Sequence, residues 1–199
     1  MERKKYQISL IGKSCSGKTT WIRKNKCEEI EEKYKASQSA VYTEMSIYFD
    51  RRRIKVEIWD TPGQEIFERI VPIYYRRSDI ICIFVDLSKE IEVNKDIIKY
   101  IEKIKEDIEN KKMEEGNIII VGNKKDKEIE GNSIVIKEIA NKRRIKYIET
   151  SNIDNKYFKT MTDILFYSII EEENENVIKE IKEIKEEKKE KKEKKCNIN

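Results

Sequence analysis

The chain has 199 residues, enough for one domain with a substantial core. Its 43 basic and 39 acidic residues nearly cancel, so no global basic field points to nucleic acid. No apolar run approaches the roughly 18 residues of a membrane-spanning helix. Met1–Lys5 runs straight into a strand pattern and leaves no room for a signal peptide.

Residues 5–11 alternate polar and apolar and stop at Gly12, as a strand feeding a loop does. Gly12-Lys13-Ser14-Cys15-Ser16-Gly17-Lys18-Thr19 then reads G-x-x-x-x-G-K-T, the phosphate-binding P-loop pattern. A helix is expected over 17–30, which supplies the strand–loop–helix context the pattern needs. Backbone N–H groups of such a loop and helix start bind phosphate oxygens. Lys18 is expected to reach the β- and γ-phosphates, and the Thr19 hydroxyl to ligate Mg²⁺. Cys15 reads as a loop thiol of no special role. With Cys27, Cys82 and Cys196 it forms no C-x-x-C pair, and without histidine no zinc site or histidine base is expected. Free thiols in a reducing cytosol is the economical reading.

Residues 41–50 and 53–60 read as two strands joined by the charged turn Asp50-Arg51-Arg52, an antiparallel hairpin. Ile58-Trp59-Asp60-Thr61-Pro62-Gly63-Gln64-Glu65 follows. Asp60 at a strand tip is placed to hold Mg²⁺ through water, Gly63 N–H to approach a γ-phosphate, and Gln64 to orient an attacking water. Residues 61–77 start as a loop and continue as a short helix. The apolar run over 79–87 predicts a strand buried on both faces, with Cys82 in the core. A helix is predicted over 91–112, with Ile97, Ile98, Ile101, Ile104 and Ile108 on its buried face. Residues 117–122 form another buried strand and end at Asn123-Lys124-Lys125-Asp126. This N-K-x-D order separates guanine from adenine. The Asp126 carboxylate can accept from the guanine ring N–H and its exocyclic amine, a donor pair adenine lacks. Asn123 would tether loops and the Lys124 stem would lie along the base. Residues 133–144 predict a helix and 146–149 a short strand. After it come Glu149-Thr150-Ser151-Asn152, where Ser151 could orient Asp126 and Asn152 N–H could reach the guanine O6. A last helix is expected over 155–171, with Phe158, Met161, Leu165 and Ile169 on one face. Strands alternating with helices around one hairpin give an α/β three-layer fold with a mostly parallel sheet and one antiparallel edge. Every motif falls at the carboxyl end of a strand, where such sheets bind ligands.

These motifs carry a resemblance. GKSCSGKT, RRRIKVEIWDTPGQE running into IYYRRSD, IFVDLS, NKKD and ETS together resemble the Ras-like small GTPases, and among them the Rab group, over residues 5–171. The resemblance implies a P-loop GTPase fold with a six-stranded sheet and helices on both faces. It implies a GTP/GDP switch in vesicle and membrane trafficking, with slow intrinsic hydrolysis. Mg²⁺ would be held by Thr19, Ser37 and Asp60. The nucleotide would be held by Ser14, Cys15, Ser16, Gly17, Lys18, Thr19, Thr20, Tyr34, Ser37, Gly63, Asn123, Lys124, Asp126, Ser151 and Asn152. Gln64 and Lys18 would act in hydrolysis. An exchange factor, a GTPase-activating protein supplying an arginine, and effectors would act on a monomer.

The departures bear on how it switches. Ser37 stands where the family carries a threonine, with Ser39 as the fallback register. Gln38-Ser39-Ala40-Val41-Tyr42 replaces the usual effector stretch. Ile30 stands where an aromatic covers the base, Ile153 replaces a lysine after the ETS motif, and Pro62 replaces a small residue. Pro62 and Ile30 motivate one alternative, a GTP-binding scaffold with impaired hydrolysis or switching. A second alternative is a P-loop kinase using ATP, against which NKKD argues.

From residue 171 the composition changes, which sets a GTPase domain over 1–171 and a charged, flexible tail over 172–199. Residues 188–195 hold six lysines and two glutamates and lead into Cys196-Asn197-Ile198-Asn199, which fits C-a-a-X prenylation at Cys196. One lipid chain anchors reversibly and needs a second signal, which the lysines could supply. The expected place is cytoplasmic, peripheral on the cytosolic face of an intracellular or plasma membrane.

Overall fold

The computed structural model describes residues 5–28, 39–49, 52–110 and 117–170. The chain divides into two compact units, Met1–Met161 and Thr162–Asn199. In the second, the described residues 162–170 are helical.

The first unit is built on one six-stranded sheet. Its strands are β1 (Lys5–Ile11), β2 (Val41–Phe49), β3 (Arg52–Asp60), β4 (Ile80–Asp86), β5 (Asn117–Asn123) and β6 (Lys146–Glu149). Their order across the sheet is β2-β3-β1-β4-β5-β6. Every pairing is parallel except the β2–β3 hairpin at one edge. The helices of this unit are α1 (Lys18–Asn25), α2 (Val71–Tyr75), α3 (Lys99–Glu109) and α4 (Asn132–Arg143), with residues 155–161 helical as well. Central strands buried on both faces must be apolar throughout, and β4 is: its residues 80–85 are all buried. Burial pushes the Cys82 thiol up to about 12, so it stays an inert core thiol. β1 runs between β3 and β4, with Ile8 opposite both Ile58 and Ile80. That central place puts the loop after β1 at the middle of the sheet's carboxyl edge.

Two expected helices come out shorter. α1 ends at Asn25, where Lys26 N–H turns back to Ile22 O and Arg23 O and Cys27 takes a positive φ of 56°. The predicted 91–112 helix is α3 preceded by one wide π turn over Asn94–Ile98. Ile97, Ile101 and Ile104 are buried as the spacing predicts, Ile98 and Ile108 are half-buried, and Asp96 and Asp107 are buried beside them.

Asp107 earns that place by bonding. Tyr75 Oη, at the end of α2, donates to Asp107 Oδ2 at 2.8 Å, and Arg76 donates through Nε at 3.1 Å and Nη2 to Oδ1 at 3.2 Å. Burial pushes the Asp107 carboxyl up, but the Arg76 and Tyr75 hydrogen bonds outweigh it and hold it below the ordinary carboxylate range. A depressed folded-state pKa gives stability that is complete above the unfolded value and lost as pH falls through the folded one. Asp107→Asn is therefore expected to lower stability by about 1–3 kcal/mol at neutral pH. The loss should shrink toward pH 3, as read from denaturant midpoints across that range.

Candidate guanine-nucleotide site

The site forms where β1, β3, β5 and β6 end. Gly12 leaves β1 at φ 129°, a conformation L side chains rarely take, and a Cβ there would strike the backbone of Phe84 on β4. Cys15 (φ 63°) and Gly17 (φ 95°) continue the left-handed curl, so the loop wraps and hands over to α1 at Lys18. Successive N–H groups in such a curl point to one centre and suit an anion.

Lys18 crosses this curl. Its Nζ donates to Gly12 O at 2.8 Å, to Lys13 O at 3.0 Å and to Ser16 Oγ at 3.4 Å. Burial lowers its pKa to about 8, against the opposing charge of Asp60. A nearby phosphate would restore the ammonium. Thr19 Oγ1 donates to Asp60 Oδ2 at 2.6 Å, which brings two of the expected Mg²⁺ ligands together. Asp60 is 1% exposed, and its Oδ1 has no hydrogen-bond partner among the described residues. Burial raises its pKa, partly countered by Thr19 and Lys18. A buried, unpaired carboxylate oxygen beside a hydroxyl is a hard oxygen set that fits Mg²⁺, a metal usually held by one or two protein groups plus substrate phosphates. Ser37, Tyr34 and Ile30 lie outside the described residues.

The loop after β3 lies against the phosphate loop. Ser14 N–H donates to Gly63 O at 2.8 Å. Thr61 anchors its start, with N–H and Oγ1 both on Leu10 O at 3.2 and 2.8 Å. Gln64 follows, extended and half-buried, before a 3₁₀ turn over Glu65–Phe67. Cys15, Gly17, Lys18, Thr19, Thr20, Thr61 and Gly63 line one small depression there.

The base side is assembled from β5 and β6. Asn123 ends β5, fully buried, and its Nδ2 donates to Ser16 O at 2.7 Å, so this residue ties the two loops. Lys124 has φ 62°, and its Nζ donates to Asp86 Oδ2 at 2.6 Å. Asp86 is fixed in turn by Ser88, whose N–H and Oγ donate to Oδ1. Ser151 Oγ donates to Asp126 Oδ1 and accepts from Ile153 N–H at 3.1 Å and Asp154 N–H at 3.0 Å. The hydroxyl is thereby aimed and holds the Asp126 carboxylate, whose two oxygens keep further acceptor capacity.

Three contacts were missed from the sequence. Lys13, inside the phosphate loop, pairs with Asp96, and this hydrogen bond raises its pKa despite partial burial. Lys125 bridges Glu128 and Glu149, fastening the base loop to the end of β6. Asn152 contributes its side chain, donating from Nδ2 to Gly17 O at 3.0 Å. Each joins residues far apart in the chain by polar atoms, and such pairs leave no periodic signal. Only the loop positions of Lys13 and Asn152 hinted at them.

The comparisons with known proteins agree with this geometry. The family model described as Ras family matches residues 7–174. The Ras-related protein Rab-11C of Dictyostelium discoideum is 29% identical over 185 residues, covering 88% of this chain and 78% of its own. The Ras-related protein RABA4b of Arabidopsis thaliana is 27% identical, covering 85% and 75%. The Ras-related protein RGP1 of Oryza sativa subsp. japonica is 25% identical with the same two shares. A match over most of the chain, on a sheet whose carboxyl edge carries the phosphate loop, the β3 aspartate and the β5 base loop together, makes this chain a member of the Ras family.

Proposed function

We propose that this Ras-family protein is a Rab-like GTP/GDP switch in vesicle and membrane trafficking, with slow intrinsic hydrolysis. The observation that carries the reading is the convergence at one sheet edge of the Lys18 cradle, the Thr19–Asp60 pair and the Asp126–Ser151 pair. The β- and γ-phosphates lie in the cradle, where Lys18 neutralises their charge. Thr19 and Ser37 would hold Mg²⁺, with Asp60 behind water. When bound, the ion supplies positive charge to the phosphate oxygens. Asp126 takes the guanine N–H donors, Lys124 lies along the base, and the Asn152 N–H faces O6. Gln64 orients the water that attacks the γ-phosphate in line. No arginine sits in this site by motif, so a partner supplies one, worth about 10³–10⁵ in rate.

A partner-reading surface supports the switch. The Tyr42 and Trp59 rings lie 5.3 Å apart, as do those of Trp59 and Tyr74. This aromatic row joins the β2–β3 hairpin to α2. Tyr42 is 44% exposed and Ile73 65%, so apolar contact area is on offer to effectors and regulators.

Among the described residues no helix is long and apolar enough to cross a membrane. Membrane attachment is assigned to a prenyl group on Cys196 and the Lys-rich stretch before it, both outside the described residues. Cys196→Ser is expected to move the protein from the membrane to the soluble fraction on flotation; retention at the wild-type level would remove the anchor.

The central test is a titration with GTP, GDP and ATP, followed by single-turnover hydrolysis with and without Mg²⁺. Tight GTP and GDP binding, weak ATP binding and slow Mg²⁺-dependent phosphate release are expected. GTP binding without hydrolysis would favour the scaffold reading suggested by Pro62, and ATP preference would favour a kinase.

A further inference from the structure

Two side-chain amides grip the phosphate loop from the base side. Asn123 Nδ2 donates to Ser16 O at 2.7 Å and Asn152 Nδ2 to Gly17 O at 3.0 Å, two consecutive carbonyls. Gly17 is the residue at which the loop turns into α1, at φ 95°. A Cβ on it would run into both amide nitrogens, so the amides straddle that turn. They arrive by different routes, Asn123 from β5 and Asn152 from the loop after β6.

Asn152 is itself held. Lys24 Nζ, near the end of α1, donates to Asn152 O at 2.8 Å, and the same ammonium lies 4.5 Å from the centroid of the Phe158 ring. Residue 152 thus takes α1 on its carbonyl and the phosphate loop on its side chain. The residue before it, Ser151, aims Asp126. Asn152 is 8% exposed, and its Oδ1 is sealed from solvent with no hydrogen-bond partner among the described residues. A buried, unpaired acceptor carries a desolvation cost that an alanine would avoid. What the amide contributes is therefore its donor, spent on Gly17.

We infer that Asn152 is a positioning residue that couples the base loop to the phosphate loop and so sets how long the nucleotide is retained. The inference rests on the guanine-nucleotide reading above. A nucleotide held by its base in one loop and its phosphates in another is a two-point ligand. While the loops keep a fixed relation, whichever half lets go stays at high effective concentration beside its own subsite. With only the Asn123 amide left to tie them, the loops separate more readily, and ligands that span both leave faster. A ligand gripped mainly at the base gains little from the coupling.

The test compares Asn152→Ala and Asn152→Asp with wild type in the full-length chain with Mg²⁺. The aspartate keeps the side-chain shape but sets a carboxylate, with no donor, against the Gly17 carbonyl, so it reports the tether even if the alanine folds poorly. Release of fluorescent GDP is expected to accelerate about 3- to 10-fold in Asn152→Ala, the scale of one net hydrogen bond. Asn152→Asp should accelerate it at least as much. Competition by GMP, which lacks the β-phosphate the loop grips, should change less than twofold. Unchanged GDP release in both variants would overturn the inference. So would equal weakening of GMP and GDP, which is what lost packing or a lost base contact produces. Failure of the wild-type chain to hold GDP at all is a different result, seen before any variant is made, and it overturns the nucleotide reading itself.

Discussion

Asp126→Ala is expected to cost the protein about 10²–10⁴ in its preference for GTP over ATP, measured as the ratio of dissociation constants. The magnitude is that of two hydrogen bonds to a charged acceptor, about 1.5–3 kcal/mol each, with some compensation by water. The geometry suits the carboxylate to this proposed role. Ser151 Oγ donates to Asp126 Oδ1 and is itself pinned by the N–H groups of Ile153 and Asp154. The carboxylate is thus oriented before any base arrives, and little entropy remains to be lost. Adenine presents no matching pair of donors, so its binding should change little. A variant that still preferred GTP by the wild-type ratio would place base selection elsewhere.

Gly63→Ala is expected to slow single-turnover GTP hydrolysis by about 10²–10³, the scale of one lost transition-state donor. GDP affinity should fall far less, because Lys18 and Asp126 are untouched. A Cβ built on Gly63 would lie 2.5 Å from Ser14 N, 2.6 Å from Lys13 C and 2.7 Å from Gly12 O. All three are backbone atoms of the phosphate loop, so no side chain can rotate away. The loop from Asp60 to Gln64 must lift instead, breaking the Ser14 N–H bond to Gly63 O. Gln64 then shifts with the loop, away from the proposed phosphate position. A normal hydrolysis rate in this variant would show that Gly63 is not needed against the loop.

Much of the fold was legible because its signals are local. A short apolar run between turn signals fits a strand buried on both faces, as in β4, and period-two alternation fits β3 as one arm of a hairpin. Glycines and the G-K-T ending specify the phosphate loop, since the curl at Gly12 and Gly17 tolerates no Cβ. The helix before Lys99 was less legible. Periodicity assumes an unbroken α-helix and shows neither the π turn over Asn94–Ile98 nor the burial of Asp96 and Asp107 beside Ile97, Ile101 and Ile104. A carboxylate facing the core reads as an error in a pattern until its partners are known.

The site divides along the same line. By itself the chain named the candidate groups: Lys18 for phosphate, Asp60 and Thr19 for a hard metal, Gln64 for water and Asp126 for guanine. Short motifs carry that information, because each needs particular residue types at fixed spacing on one loop. Only the tertiary structure decided how those loops are joined. Lys13 with Asp96, Lys125 with Glu149, and Asn152 with Gly17 connect positions up to 135 residues apart. Such contacts depend on where β1, β5 and β6 end relative to one another across the sheet, a geometry set by strand order and register rather than by any one segment.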